Sequence, residues 1–278
     1  MELNFFESIF YGLISGLAEF LPISAQAHRA ILLKLFGVQS ESYLLRFLIH
    51  GGVLLSLVIS LRGKILQLNR ENQINKQSKR RRKRQPDQRS VLDVRIIKVA
   101  SILTLFGFVI YYLTTKHQSN LLAIAGFLII NGIVLLIPRL LPSGNKDSRS
   151  MSSMDSALIG IAGALSMVPG VSIISTTSTI SLVRGADRQH ALTWSLLLCI
   201  PVLLVMLGFD LYGIFAIGTG ALSFVIFLQY IVAAAAAFIG GYFAIIFLRF
   251  LAVNTGFSMF AYYSWGAALF AFIFYLTI

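Results

Sequence analysis

At residues 19–29 the sequence reads EFLPISAQAHR, which places a carboxylate, a hydroxyl, an imidazole and a guanidinium inside one of the most apolar regions of the chain. A second polar stretch, PGVSIISTTST, occupies residues 169–179 of another apolar region. In hydrocarbon each unpaired polar group costs several kcal/mol, so such clusters usually line a cavity or a site. These two interruptions therefore indicate both the kind of fold and the place to look for function.

The composition is that of a polytopic membrane protein. Of the 278 residues, 57% are hydrophobic and only 12% are charged, and the mean hydropathy is +0.81. A soluble domain carries about 25% charged residues, so this chain could not cover its surface for water. The sequence contains no Walker loop, dinucleotide fingerprint or zinc-spaced Cys/His cluster, which leaves soluble-cofactor chemistry without support.

The net charge of +12 is concentrated in one place, because the run KRRRKR at residues 79–84 lies between two apolar segments. Basic loops beside membrane spans lie on the cytoplasmic side and can contact anionic lipids. We therefore expect residues 63–97 to form a basic cytoplasmic loop. Nucleic-acid binding is disfavoured, because the run has no interleaved aromatic residues and no recognisable fold around it.

Apolar runs of about 17 to 25 residues are long enough to cross a bilayer. The sequence has six of them, at residues 44–61, 98–115, 121–138, 191–209, 220–247 and 257–278. Two further apolar regions, 5–36 and 156–183, are broken at Pro22 and at Pro169-Gly170, and each is too polar at its centre to face lipid. Broken helices at membrane depth are tolerated around a protein-lined cavity.

The two broken regions resemble each other weakly, and charge placement makes one enter from outside and the other from inside. Paired interruptions of this kind indicate an inverted repeat with its site near the midplane. The prediction is an all-α integral membrane fold, with six full transmembrane helices plus two re-entrant helical hairpins in an inverted-topology repeat. The chain would form a single domain, 1–278, with repeats at about 1–115 and 121–278. Arg29 and Lys34 fit this topology less well, because they would lie outside.

Glu19 and His28 are the candidate catalytic residues. A carboxylate at membrane depth could be a general base, a proton relay or a metal ligand, or a structural partner of Arg29 or His28. His28 could transfer a proton or attack phosphorus, or it could be a capping or packing histidine.

Hydroxyl groups supply the candidate phosphate ligands. Ser24, Ser172, Thr177 and Ser178 could donate hydrogen bonds to phosphate oxygens, although Ser and Thr in membranes also bond routinely to helix carbonyls. Helix N-termini after a Pro or Gly break favour anions. His50 either lines the same cavity or accompanies close helix packing at the two glycines that follow it.

At these residues the chain resembles the undecaprenyl-pyrophosphate phosphatase family, the bacitracin-resistance type of membrane enzyme. The sequence SGLAEFLPISAQAH at 15–28 is similar to the family's first motif, roughly EGLTEFLPVSSTGH, and PGVSIISTT at 169–177 is similar to PGxSRSGxT. The resemblance implies hydrolysis of undecaprenyl pyrophosphate to the monophosphate in the bacterial plasma membrane, for recycling of the envelope lipid carrier.

The resemblance also implies roles for individual residues. Glu19 would organise a divalent cation (Mg²⁺ or Ca²⁺) or protons, and His28 would act as nucleophile or acid/base. Ser24, Ser172 and Thr177 would hold phosphate oxygens. A homodimer is compatible with this interpretation.

Several motif positions depart from the family pattern, and three of them bear most on the chemistry: Ser15 replaces a glutamate, Ala25 a serine, and Ile173 the arginine expected to hold pyrophosphate. After Ile173, the motif's Ser-Gly is replaced by Ile174-Ser175. Losing that guanidinium removes charge-assisted hydrogen bonds to phosphate. Arg184 lies about 16 Å further along a helix, so Arg29 is the nearby candidate for a relocated cation. The alternative is a catalytically impaired relative that acts as a polyprenyl-phosphate transporter (flippase) or binding protein.

Overall fold

The computed structural model describes residues 3–80, 92–114, 120–141, 144–147, 150–219, 222–254 and 256–277. Over these residues the fold is helical, and the only β-type pairing is an isolated bridge between Lys146 and Ala186. The helices are α1 Phe5–Phe20, α2 Ala25–Leu35, α3 Tyr43–Arg80, α4 Leu92–Leu105, α5 Gly107–Leu113, α6 Leu121–Leu136 with a short 3₁₀ extension Ile137–Leu140, α7 Ser153–Leu165, α8 Ile173–Val183, α9 Arg188–Ile217, α10 Phe224–Asn254 and α11 Met259–Thr277.

Within the described residues, six helical stretches are long and apolar enough to cross a membrane. They are Tyr43–Arg70, Val94–Leu113, Leu121–Leu140, Arg188–Ile217, Phe224–Val253 and Met259–Thr277. The second combines α4 and α5. Each overlaps one of the predicted spans, so the prediction of an all-helical membrane protein with six spans is confirmed.

Two boundaries differ from the sequence prediction. Helix α3 continues to Arg80 and α4 begins at Leu92, so residues 63–80 and 92–97 of the expected loop are helical, while 81–91 lie outside the described residues. Residues 64–80 contain no Gly or Pro and are rich in Lys, Gln, Arg and Leu, which favour helix. Helix α9 likewise continues past residue 209, so Asp210 is a buried helical residue rather than the start of a loop.

Two helical hairpins, α1–α2 and α7–α8, contain the broken regions, and they begin in the same way. Asn4 and Glu7 form a reciprocal capping box at the start of α1. Ser152 and Asp155, each 148 positions later, form the same box at the start of α7. Such a box satisfies two of the N–H groups that a helix N-terminus leaves without partners.

The hairpins also end in the same way. Helices α2 and α8 are both 11 residues long, and each is followed by a left-handed glycine, Gly37 at φ 68° and Gly185 at φ 87°. The next amide closes the helix by donating to a carbonyl five residues back, Val38 to Leu33 at 2.8 Å and Ala186 to Ser181 at 2.9 Å. Only the left-handed region allows this closure, which favours glycine. The two helix pairs therefore share the same N-terminal cap, the same second-helix length and the same C-terminal closure.

Small residues let each hairpin approach a long helix. A Cβ on Gly16 would lie 2.0 Å from the carbonyl oxygen of Ala237, so α1 packs with backbone contact on α10. In the other half, a Cβ on Gly160 would lie 2.7 Å from the carbonyl oxygen of Ala100, and α7 packs on α4 in the same manner. Helices α3 and α9 pack on each other, as do α6 and α11. This packing brings the two hairpin breaks together.

Candidate active site

The two hairpin breaks are joined by direct hydrogen bonds. The hydroxyl of Ser24 accepts a bond from the backbone N–H of Gly170 at 3.0 Å, and the hydroxyl of Ser172 donates to the carbonyl of Leu21 at 3.5 Å. The polar stretches of the two halves therefore meet.

Asn131, in the middle of α6, also joins both breaks. Its amide nitrogen donates to the carbonyl of Pro22 at 2.9 Å, and its amide oxygen accepts from the backbone N–H of Ser172 at 3.0 Å. The same nitrogen lies 3.0 Å from the hydroxyl of Ser264 in α11. Asn131 is fully buried, so these bonds fix the position of both hairpins relative to α6.

A cavity of about 50 Å³ lies where the breaks meet, and its polar lining residues are Glu19, Ser24, Gln26, Arg29, His50, Ser166 and Ser172. It adjoins a wider chamber of about 600 Å³, because Gln26, Arg29, His50 and Met206 line both. Ligand pockets commonly measure about 300–1,000 Å³, so the chamber has the size of a binding site.

Two helix N-termini contribute to the cavity wall. Ser24 and Ser172 are the N-cap residues of α2 and α8, and neither side chain caps its own helix. Both residues line the cavity, which places the positive ends of two helix dipoles beside it. Ser24 has φ 69°, and among the described residues it is the one non-glycine with positive φ. Such a conformation costs about 1–3 kcal/mol and is typical of functional sites.

A chain of buried charged and polar groups leads away from the cavity. Arg29 Nη1 lies 2.8 Å from His50 Nε2, and His50 Nδ1 lies 2.6 Å from Asp210 Oδ2. Because a guanidinium only donates, Nε2 must accept, and the ring proton resides on Nδ1, which donates to the carboxylate. Arg46 donates to the other oxygen of Asp210. Glu19, half-buried, lines the same cavity as Arg29 and His50.

His28, expected to be catalytic, does not line the cavity or the chamber. Its Nδ1 lies 2.8 Å from the carbonyl of Ser24 and its Nε2 lies 2.9 Å from the hydroxyl of Tyr263, on which the ring also stacks. Residues 26, 29, 30 and 33 form the face of α2 that lines the chamber. Because His28 lies on a different face, it contacts α11 instead.

Thr177 also lies away from the cavity. Its hydroxyl is 2.6 Å from the carbonyl of Ile173 and 2.7 Å from the hydroxyl of Ser195 in α9, and the residue is fully buried. Ser178 bonds to the same Ser195 hydroxyl at 2.9 Å. These hydroxyls connect α8 to α9, which is the routine use of Ser and Thr in membrane helices. Of the six residues proposed from sequence, the structure brings together Glu19, Ser24, Arg29 and Ser172.

Residues 8–270 match the family described as Bacitracin resistance protein BacA. The chain belongs to the BacA family. Similar curated proteins include undecaprenyl-diphosphatases of Carboxydothermus hydrogenoformans, 29% identical over 95% of this chain and 94% of that protein, and of Nocardioides sp., 30% identical over 76% of each. Undecaprenyl-diphosphatase 1 of Shouchella clausii is 25% identical over 98% of this chain and 97% of its own.

Two of the three departures from the BacA motifs lie at the same cavity. Ile173, where the family motif has arginine, lines the cavity, and so does Ala25, where the motif has serine. Ser15 is buried in α1 and does not line it. Arg29 reaches the cavity from the opposite hairpin. Among the described residues that line the inner cavity, the cationic side chain thus lies on α2, whereas the family motif has its arginine at the start of α8.

Sequence reasoning missed Asn131, Arg46 and Asp210. Each is a single polar residue inside or beside an apolar run. Such a residue can be recognised in the sequence, but the sequence does not show which side chain it bonds to. Within the described residues, no three His, Cys, Asp or Glu side chains are clustered as a metal would require. Glu19 is the carboxylate that lines the inner cavity.

Proposed function

We propose that this BacA family member hydrolyses a polyprenyl pyrophosphate, with undecaprenyl pyrophosphate as the expected substrate, to the monophosphate and inorganic phosphate. The observation that carries this proposal is the convergence of two helix N-termini, Arg29 and Glu19 on one cavity. The names of the similar curated proteins point to the same reaction.

The inner cavity and the chamber that adjoins it together present groups suited to a pyrophosphate headgroup. Arg29 is only 8% exposed and can donate charge-assisted hydrogen bonds to phosphate oxygens. The N–H groups in the first turns of α2 and α8, with the hydroxyls of Ser24 and Ser172, supply further donors. Phosphoryl transfer depends mainly on positioning and on neutralising negative charge, and these groups provide both.

Glu19 is the proposed acid/base or metal-organising group. Mg²⁺ is usually held by one or two carboxylates together with substrate phosphates, and Ca²⁺ also takes oxygen ligands. A single carboxylate beside a phosphate pocket fits that pattern, so Glu19 would hold the cation against the substrate. A bound cation would neutralise charge on the pyrophosphate. Without one, Glu19 would instead organise protons in the cavity.

For the membrane topology, we propose that α1–α2 and α7–α8 re-enter from opposite faces of the bacterial plasma membrane, with the basic segment cytoplasmic. The repeated caps of the two hairpins support the inverted repeat. From the sequence, Arg29 fitted this topology poorly because its charge would lie outside. In the structure Arg29 is buried at the cavity, so it places no charge in the outer solution. In a Cys199→Ala background, a membrane-impermeant thiol reagent should label Gln39→Cys from outside and Gln189→Cys only after permeabilisation. Labelling of both from one side would refute the inversion.

The homodimer stays a prediction, which cross-linking in membranes would test.

The function itself is tested by phosphate release from undecaprenyl pyrophosphate by the purified protein. Wild-type release that Glu19→Gln lowers by at least a hundredfold would support the proposal. Asp187→Asn, which alters a half-buried acid outside the cavity at the N-cap of α9, should leave the rate unchanged, because asparagine is also a good N-cap. Tight binding of the lipid without release would overturn hydrolysis in favour of a transporter or binding protein.

A further inference from the structure

We propose that His50 is the general base of this hydrolysis and that Asp210 is its positioning residue. The inference rests on the proposed function, because it names the proton acceptor for the same cavity. Neither residue lies in the stretches 15–28 and 169–177 that were compared with the family's motifs.

The pair is built deep in the protein. His50 is 2% exposed and Asp210 is 1% exposed, and they come from different helices, α3 and α9. An ionisable pair at membrane depth is expensive and usually functional. Both oxygens of Asp210 are bonded, one by His50 and the other by Arg46, so the carboxylate is held in one orientation.

The ring of His50 is oriented for proton transfer. Its Nδ1 is fixed by Asp210 at 2.6 Å, and its Nε2 lies towards Arg29 in the wall shared by the inner cavity and the chamber. A base whose far nitrogen is held by a carboxylate is the arrangement that activates nucleophiles in many hydrolases. When Arg29 turns its N–H groups to a bound phosphate, the lone pair on Nε2 becomes free.

His28 lacks this freedom. Its Nδ1 donates to a backbone carbonyl and its Nε2 accepts from the hydroxyl of Tyr263, so in the neutral ring both nitrogens are used. His28 lines neither the cavity nor the chamber.

In the proposed step, the oxygen of a water molecule bonds to the terminal phosphorus of the pyrophosphate, and His50 Nε2 takes the proton that this water loses. The bond from that phosphorus to the bridging oxygen breaks, and the bridging oxygen leaves with the electron pair on the lipid monophosphate. His50 then releases its proton to water in the chamber. Asp210 stays ionised throughout and stabilises the charged ring.

Protonation of His50 before the reaction would block this step, so the rate should fall on the acid side. Several charged or titratable groups contact His50, bond to its partner Asp210 or line the same two cavities. They include Asp210, Arg29, Arg46, Glu19, Glu41 and Tyr111.

The test compares His50→Gln, Asp210→Asn and a matched control, His190→Gln, in phosphate release from undecaprenyl pyrophosphate as a function of pH. His190 is paired with Asp187 at 3.4 Å on the protein surface, so it is a second Asp–His pair outside the cavity. Removing a general base costs about 10²–10⁴-fold in rate. We expect a loss of that size in kcat for His50→Gln, with KM changed less than threefold and the acid limb of the pH profile abolished.

Asp210→Asn should lower kcat by a smaller factor and move the acid limb to lower pH, because the protonated ring loses its counter-charge. A structural role alone would not move that limb. Binding of inorganic pyrophosphate, measured by calorimetry on each variant, shows whether the cavity is still formed.

If the wild type releases no phosphate, the proposed function fails and this inference fails with it. If the wild type is active and His50→Gln keeps kcat within threefold, only the inference is overturned. A variant that loses pyrophosphate binding as well as activity would also count against it, since His50 would then be needed for the fold of the cavity. Equal losses in His50→Gln and His190→Gln would have the same meaning.

Discussion

Replacement of Arg29 by glutamine tests whether the cation of this site has moved to the first hairpin. Arg29 is the cationic side chain among the described residues that line the inner cavity. Glutamine keeps an N–H that can still donate to His50 Nε2, so the buried network with Asp210 loses the charge but retains a hydrogen bond. The substitution therefore removes mainly the contribution of the guanidinium to phosphate binding.

The size of the effect follows from the bonds lost. A hydrogen bond to a charged group contributes about 1.5–3 kcal/mol, and two parallel bonds from a guanidinium to a phosphate would contribute at least about 3 kcal/mol. At about 1.4 kcal/mol for each factor of ten, kcat/KM should fall by at least about a hundredfold. Arg139→Gln, which removes an exposed arginine elsewhere, is the matched control and should change kcat/KM less than twofold.

Rescue makes the experiment specific to the cavity. Ile173 lines the same cavity and stands where the family motif has arginine. Adding Ile173→Arg to Arg29→Gln should restore kcat/KM at least tenfold, because either hairpin can then deliver the charge. The assay is phosphate release from undecaprenyl pyrophosphate under subsaturating conditions. Activity of Arg29→Gln within threefold of wild type would refute the reasoning.

Three further predictions concern packing and stability, each measured by unfolding in detergent. Asn131→Ala should destabilise the protein by at least about 2 kcal/mol, because it leaves buried partners unpaired, whereas the exposed cap Asn120→Ala should cost only about 1 kcal/mol. Equal shifts would contradict this. Gly16→Val should disrupt the contact of α1 with α10, while Gly126→Ala, which meets nothing within 4 Å, should be neutral or stabilising; an unchanged melting temperature for Gly16→Val would refute the close approach. Burial acts to raise the pKa of Asp155, but bonds from Ser152 and Arg184 outweigh it and lower the pKa below 3.8. Its stabilisation is therefore present above about pH 4 and lost below it, and Asp155→Asn should remove that dependence; an identical pH profile would show that the pair contributes nothing.

Much of the fold was predictable because bilayer spans leave a strong signal in composition. The six apolar runs correspond to six helical stretches, and the proline and glycine breaks marked both hairpins. The boundaries were less predictable. The apolar run near residue 209 ends at a charge, but α9 continues through Asp210 because His50 and Arg46 compensate that charge from α3.

Some residues of the site could be predicted from the sequence and others could not. Glu19, Ser24 and Arg29 could be found because several polar residues follow one another in an apolar stretch. Asp210 and Asn131 are single polar residues in apolar stretches, and their partners lie between 41 and 164 positions away, so no local pattern reveals them. The choice between His28 and His50 depends on which helix face meets the cavity. His28 is held away from the cavity by its contact with Tyr263 of α11, and the sequence around His28 does not reveal that contact.

Arg29 and Ile173 face one cavity from opposite halves of the chain, and this has a consequence for how such proteins are classified. Under the proposed function, the substrate requires a positive charge within reach of its phosphates, and a residue of either hairpin could carry that charge. A survey that scores each alignment column separately would discard this chain as inactive for its missing arginine. Scoring the total charge of the chamber would instead retain it, and would separate relocated sites from lost ones.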